Sequence, residues 1–328
     1  MQGHRHSRRV ASARFTVSCF AACAAALLCA TRTAAAQELN PRAYLISPVG
    51  TNVVNLGYSH LEGNPDLSGA RPITDADAAV DVGALGLYRA LDFFGRSANV
   101  AVAIPYAVGE FDGTVADAPK HAHRSGLLDS SVRFSVNLIG GPALEPQEFV
   151  KWQQGVLLGV SLKIVAPTGQ YDPTALVNLG TNRWAFKPEI GYSQRWGAWI
   201  LDAYAAVWFF TENPEFFSHN QYFAGVRSRS ESPVAAFEAH LSYDVRPRLW
   251  ISLDANFWSG GETSINGVAN PATYQRSSRV GVTASIPLSA HNSIKLSYND
   301  GAFVRYGGNY RSISASWQYG WIGWPHAH

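Results

Sequence analysis

Ionisable side chains recur at even spacings along this chain, and the spacing suggests what they could do. Arg183, Lys187 and Glu189 stand four and two residues apart, and Glu238 and His240 stand two apart. Side chains at even spacings share one face of an extended strand. Charges of both signs on one face can pair with each other, or they can attract a charged solute and let it pass.

These charges lie in stretches that alternate between apolar residues and small or polar ones. Val132, Phe134 and Val136 take one parity, and Arg133 and Ser135 take the other. A helix would instead need apolar residues three and four positions apart. The alternation therefore predicts strands that have one apolar face and one polar face.

The alternation continues from about residue 52 to residue 321, with connections that are alternately long and short. This rhythm predicts an all-β fold, a transmembrane antiparallel up-and-down β-barrel of about 12 strands. Outer-membrane barrels have short periplasmic turns and long external loops, so both termini are expected to be periplasmic. Strands are predicted near residues 52–60, 78–89, 96–105, 127–139, 154–166, 183–194, 199–210, 233–244, 249–258, 277–288, 293–299 and 310–321.

The small or polar parity is expected to face the lumen, because an Arg or Lys facing lipid costs roughly 2 to 4 kcal/mol at the midplane. One interpretation is a ladder of paired charges that props up a narrow lumen, and the other is a permeation or binding role. Arg183 and Lys187 could then attract a carboxylated aromatic solute. The candidate lumen residues are Arg133, Lys163, Arg183, Lys187, Glu189, Asp202, Glu238, His240, Asp254, Arg279 and Lys295, with Asp81 and Asp244 on the same parity.

The strand number and the aromatic residues bear on the passage and on its surroundings. Eight strands leave a filled interior and sixteen an open channel, so about twelve predict a narrow passage lined by charges. Aromatic residues gather near the strand ends, among them Trp196, Trp199, Trp208 and Trp258. Such rings suit the headgroup level of a membrane. The expected partners are outer-membrane lipid, a small-molecule solute and the barrel-assembly machinery.

The first 36 residues have the features of a cleaved secretory signal peptide. Arginines precede an apolar run from about residue 17 to 30. The three alanines at residues 34–36, directly before Gln37, form a small-residue cleavage site. The chain is thus expected to be exported to the outer membrane of a Gram-negative bacterium. The expected division is a signal at 1–36, a short periplasmic segment at 37–51, the barrel at 52–321 and a C-terminal tail at 322–328.

The composition of the signal also constrains the mature chain. Cys19, Cys23 and Cys29 all lie in it, so the mature chain is expected to have no disulfide and no thiol catalyst. Five of the 26 basic residues lie in it and none of the 24 acidic ones, which leaves 21 against 24, a net charge of −3. This balance gives no reason to expect a nucleic-acid partner. No cofactor and no metal are implied.

Several motifs resemble a known family. They are the segment TGQYDPTALVNLGTNRWAFKPEIGYS from Thr168 to Ser193, LDANFWSGGETSINGV from Leu253 to Val268, SSRVGV from Ser277 to Val282, and the end of the chain around Trp317 and Trp321. The chain resembles the outer-membrane transporters associated with the phenol meta-cleavage (MetA) pathway. The resemblance implies a barrel that takes up or passes small solutes, aromatic compounds or aromatic acids among them. It does not imply a particular substrate.

Three other interpretations remain open from the sequence. A lipid hydrolase would need a histidine that faces the bilayer, and His60 shares its parity with Leu56 and Tyr58, but no serine partner can be assigned to it. A closed structural or adhesive barrel would use its long loops, and the aromatic loop at residues 211–232 could fold inward or outward. His121 and His123 have a spacing that can ligate metal, without an evident third ligand. The oligomeric state is undetermined.

Overall fold

The computed structural model describes residues 39–64 and 73–323, and it is built almost wholly of strands. The predicted signal, residues 1–36, and residues 324–328 of the predicted tail lie outside the described residues. The strands are β1 (Thr51–Asn64), β2 (Ile73–Phe93), β3 (Arg96–Val115), β4 (Ala118–Leu127), β5 (Ser131–Ile139), β6 (Val156–Val165), β7 (Ala185–Trp196), β8 (Trp199–Phe210), β9 (Arg229–Glu231), β10 (Val234–Arg246), β11 (Leu249–Gly260), β12 (Thr263–Ile265), β13 (Val268–Asn270), β14 (Gln275–Pro287), β15 (Asn292–Val304) and β16 (Asn309–Ile322). A short helix α1 (Pro146–Phe149) and a 3₁₀ turn (Pro271–Thr273) complete the elements.

Twelve of these strands form a closed antiparallel ring. Its order is β1, β2, β3, β5, β6, β7, β8, β10, β11, β14, β15 and β16, and β16 pairs back onto β1. Among the described residues, no helix reaches the length and apolarity that a membrane crossing requires. The predicted fold class is confirmed, including the strand number.

The first and last strands of the ring meet at the end where the connections are short. Thr51 lies opposite Ile322, so the first and last ring strands begin and end at the same end of the barrel. At this short-turn end, Phe94 and Gly95 have positive φ angles of 53° and 76°, which fit the two-residue hairpin between β2 and β3. The opposite end, the long-loop end, carries the long connections between β6 and β7, β8 and β10, and β11 and β14. One long connection, residues 140–155 between β5 and β6, lies at the short-turn end. The assignment of the long-loop end to the cell exterior remains a prediction.

The β3–β4 hairpin extends beyond the ring at the long-loop end. The far half of β3 pairs with β4, and its near half pairs with β5. The sequence predicted a loop over residues 106–126. His121 bonds Asp112 there at 2.9 Å, and this hydrogen bond raises the pKa of His121 above its usual value. His123 bonds Glu110 at 2.7 Å.

The two faces of the strands differ as the alternation predicts. On the lipid-facing side, Leu253 is 64 % exposed, and Leu241 and Ile251 are also exposed. On the inner side, Asp202 and Ser242 are fully buried. The parity rule thus holds for the strands from β5 to β16.

One predicted inward residue faces outward instead. Asp81 is exposed on the outer face of β2, where its carboxylate accepts hydrogen bonds from Tyr58 and His60. Val80 and Val82, which flank it in sequence, are the buried inward residues. The parity rule assumed a polar interior, and the interior is apolar beside β2.

The outer loops supply that apolar filling. Val177 and Leu179, from the connection before β7, pack against Val82 of β2 and Phe111 of β3 inside the barrel mouth. The loop at residues 211–232 packs over this connection, with Phe217 almost fully buried. The aromatic loop therefore folds onto its neighbours at the mouth.

The aromatic residues predicted to form interfacial girdles divide into two groups. Trp196 and Trp199 are exposed at the short-turn end, where Trp199 packs against Tyr243 with ring centres 4.8 Å apart. Trp208 and Trp258 are fully buried inside the barrel. They carry the inward parity of their strands, and only the first group can contact lipid headgroups.

Candidate permeation site inside the barrel

The described residues before β1 lie against the inside of the barrel. Residues 39–47, here called the inner segment, run along the inner wall and cross several strands. Their backbone N–H groups donate to the wall: Asn40 to Glu238, Arg42 to Asp202 and Ala43 to the hydroxyl of Tyr204. The sequence predicted a short periplasmic stretch at residues 37–51, and the structure places most of it in the lumen.

Tyr44 is the anchor of the inner segment at mid-height. Its hydroxyl donates to Glu189 Oε1 at 2.9 Å and lies 3.1 Å from Ser161 Oγ. Its ring lies over Gly159 and Gly191, which face each other on β6 and β7, and a Cβ on either glycine would collide with the ring. The glycine pair thus forms a depression that only this ring fills.

Arg42 anchors the inner segment to the wall near the short-turn end. Its guanidinium forms a 2.7 Å ion pair with Asp244 and stacks over the Trp250 ring at 4.4 Å. Arg195 binds the other oxygen of Asp244 at 2.6 Å. A carboxylate held between two arginines keeps this part of the inner segment in place.

The predicted lumen charges of β7 and β10 form one buried network. Lys187 Nζ lies 2.8 Å from Glu189 and 3.0 Å from Glu238, and all three side chains are nearly inaccessible to solvent. Arg133 reaches Glu189 at 3.3 Å from the neighbouring wall. Because each cation has a carboxylate partner, the network is close to neutral.

The network continues onto β11 through His240. Its Nδ1 lies 2.8 Å from Asp254 Oδ1, and its Nε2 lies 3.5 Å from Glu238. Asp254 also accepts hydrogen bonds from Ser252 and Thr283. Both oxygens of Asp254 are therefore occupied.

Two further cations lie on the inner side near the long-loop end. Arg183 binds Glu231 at 2.6 Å and stacks over Phe210. Arg279 binds Asn299 at 2.5 Å and lies over the ring of Tyr310 at 3.9 Å. The cationic stretch that the sequence predicted from Arg183 and Lys187 is neutralised by carboxylates.

The remaining part of the ring has an inner wall of small side chains. One cross-strand row runs from Lys295 through Ser316 and Gly57 to Ala84, across β15, β16, β1 and β2. The next row contains Ser297, Ser314 and Ser59. We call these two rows the small-residue wall. Its residues Lys295, Ser297, Ser314, Ser316, Gly57 and Ala84 are half-buried, whereas the charged residues of β7 and β10 are buried.

The structure places the eleven candidate lumen residues on the inner side, unlike Asp81, and brings six of them together, five within one network and Arg133 at its edge. Lys187, Glu189, Glu238, His240 and Asp254 form the continuous network, and the structure leaves the functional role of each as a prediction. Lys163 is buried beside the Trp208 ring, 5.8 Å from its centre. Lys295 stands apart from the network on the small-residue wall.

The sequence analysis did not find the inner segment or its partners. Tyr44, Arg42 and Tyr204 were not candidates, since a short irregular segment has no periodicity that would mark it as buried. The paired glycines at 159 and 191 were a readable signal. Glycine in a strand interior often marks a close approach of another group.

The side chains considered for catalysis and metal binding have ordinary partners. The hydrogen bond of His60 goes to Asp81, and no serine hydroxyl bonds it among the residues the structure describes. His121 and His123 bond carboxylates of β3 on the exposed hairpin. Within residues 39–64 and 73–323, no cluster of histidine, cysteine and acidic residues has the geometry of a metal site.

Comparison with known proteins decides the family. A sequence model of the family described as "Putative MetA-pathway of phenol degradation" matches residues 63–315. The chain belongs to this family. The family resemblance that the sequence motifs indicated is therefore confirmed over most of the barrel. No curated protein matches the sequence significantly.

A solved structure agrees with the fold of this MetA-pathway family barrel. The COG4313 outer membrane channel from Pseudomonas putida F1 is 19 % identical, with a TM-score of 0.67 over 87 % of this chain and 100 % of that one. The transport unit of the autotransporter AIDA-I from Escherichia coli is 10 % identical, with a TM-score of 0.49 over 88 % of this chain and 93 % of that one. The first shows the same barrel fold, and the second is too distant to bear on either the fold or the function. The chain is an outer-membrane β-barrel.

Proposed function

We propose that this barrel is an outer-membrane channel that lets small organic solutes pass, aromatic acids among them. The observation that carries the proposal is the unequal filling of the interior. The inner segment and long ionised side chains fill the half formed by β5 to β11, and the small-residue wall lines the other half. We assign the solute route to the side of the interior that is lined by glycine, alanine and serine, where most wall residues are half-buried.

Further features support a selective passage and oppose a wide pore. A barrel of twelve strands lies between the filled interior of eight strands and the open channel of sixteen. The packing of Val177 and Leu179 inside the long-loop end narrows the mouth on the β2 side. The solute would therefore pass one molecule at a time along a wall of hydroxyl groups. The family description and the COG4313 channel agree with a transport role.

The proposal is tested by measuring solute flux in liposomes that contain the refolded mature protein. Benzoate uptake is expected in the wild type and in the variant Ala315→Trp, whose new ring points to lipid. The variant Ser316→Trp places the same ring on the small-residue wall and is expected to reduce uptake at least tenfold.

Each outcome of the flux assay bears on the proposal. Equal uptake by the Ser316→Trp and Ala315→Trp variants would show that the solute does not follow the small-residue wall. No uptake by the wild type, with circular dichroism showing a folded barrel, would favour a closed structural barrel. The tight packing of the loops over Phe217 is the observation that keeps this second function in view.

A further inference from the structure

We propose that Lys295 is an anion-binding site in the passage and that it selects a carboxylate. This inference rests on the proposed function and adds the residue and the chemical class of ligand. It begins from the contrast between Lys295 and the other lumen cations. Lys187, Arg133 and Arg183 are each paired with a carboxylate within 3.3 Å. Lys295 makes no hydrogen bond or ion pair with any residue that the structure describes.

Asp254 is the carboxylate whose charge acts on Lys295. Its oxygens are already engaged by His240, Ser252 and Thr283 at 2.6 to 2.8 Å. The ammonium group of Lys295 therefore retains its three donors for another acceptor. An ammonium ion that faces the lumen of a membrane barrel without a partner is costly, and a bound anion would relieve that cost.

The neighbours of Lys295 are the second observation. Ser316 lies directly opposite it on β16, and its hydroxyl has no hydrogen-bond partner among the described residues. An ammonium and a hydroxyl can each donate a hydrogen bond to one oxygen of a carboxylate.

The size of the surrounding side chains favours a flat organic anion. Gly57 and Ala84 continue the row beyond Ser316, and they leave space where larger side chains would close it. The lipid-facing residues of these strands, such as Leu296 and Leu56, are large. The small size is thus specific to the inner face. A carboxylate on an aromatic ring could place its charge at Lys295 and its ring along Gly57.

The test combines benzoate binding with ion selectivity. Benzoate is titrated into the detergent-solubilised mature protein by calorimetry, and the reversal potential is measured in planar bilayers under a potassium chloride gradient. The variant Lys295→Met is expected to raise the Kd for benzoate about tenfold or more and to shift the reversal potential toward cation selectivity. Lys295→Arg is expected to keep both within about threefold. Lys151→Met, on the exposed connection after α1, is the matched control and is expected to change neither.

The outcomes separate the anion site from the channel function. A benzoate Kd and a reversal potential that are unchanged in Lys295→Met would overturn the site while conduction by the wild type upholds the channel. A silent wild type whose benzoate binding is lost in Lys295→Met would uphold the site and overturn the channel. A wild type that neither conducts nor binds benzoate would overturn both.

Discussion

Replacing Tyr44 with alanine is expected to release the inner segment from the barrel wall. The Tyr44 side chain is 1 % exposed and fills the depression over Gly159 and Gly191. Truncating a buried aromatic side chain to alanine costs about 3 to 5 kcal/mol. A loss of about 4 kcal/mol changes the ratio of docked to released segment about a thousandfold, since each 1.4 kcal/mol is tenfold.

The variant Tyr44→Phe separates the ring from its hydroxyl. It keeps the ring in the glycine depression and removes the hydrogen bonds to Ser161 and Glu189. A hydrogen bond to a charged group contributes about 1.5 to 3 kcal/mol. The expected release is therefore about tenfold to a hundredfold, which is less than in Tyr44→Ala.

The assay is the labelling rate of one introduced cysteine. All three natural cysteines precede residue 37, so Ile46→Cys, at a side chain that is 3 % exposed, is the single thiol of a chain that begins at Gln37. Maleimide should label it about a thousandfold faster in Tyr44→Ala than in the otherwise natural chain. A cysteine at Ala269, on the exposed strand β13, should label at one rate in every variant. Equal labelling of Ile46→Cys with and without Tyr44 would refute the assignment of Tyr44 as the anchor.

Three further predictions concern the buried ion-pair network, the lipid-facing side of the strands and the β3–β4 hairpin. Glu238→Gln removes a carboxylate 3.0 Å from Lys187 and should lower the free energy of unfolding by about 3 kcal/mol in urea titrations, whereas Glu62→Gln, at an exposed ion pair, should cost less than about 1 kcal/mol. Leu253→Lys places a charge on the lipid face and should cost roughly 2 to 4 kcal/mol by the same measurement; no loss would place this face away from lipid. The hydrogen bond to Asp112 raises the pKa of His121. The stability that this bond gives the β3–β4 hairpin is therefore complete below the unfolded pKa of about 6.5, and it is lost as the pH rises through the folded pKa. Hydrogen-exchange protection of the β3–β4 hairpin should fall across that range, and a fall of equal size in His121→Gln would exclude this histidine.

The strands and the inward charges could be predicted from the sequence because parity is a local property. Lys187, Glu189 and Glu238 needed only the rule that neighbouring side chains on a strand face opposite sides. Their partners could not be predicted, since pairing depends on the register between β7, β8 and β10. The sequence indicated a cationic stretch at Arg183 and Lys187, and it could not show that Glu231 and Glu238 would lie beside them.

The errors share one physical cause, which is that the interior is not uniformly polar. Asp81 was placed inside because it is charged, yet Val80 and Val82 face Val177 within the barrel. Trp208 was placed at an interface because it is aromatic, yet it is buried near Lys187, whose ammonium lies 5.6 Å from its ring. Both errors arise where apolar groups from distant parts of the chain fill the interior.

The meeting of the first strand with the last has a consequence for assembly. The ring is sealed only when Ile322 reaches Thr51, and by then the partners of the inner segment on β5 to β10 have already been synthesised. Residues 39–47 can therefore gather those strands around themselves while the sheet is still open. The inner segment would thus act as a template for closure of the barrel, and its removal should slow membrane insertion even where the finished barrel is stable without it.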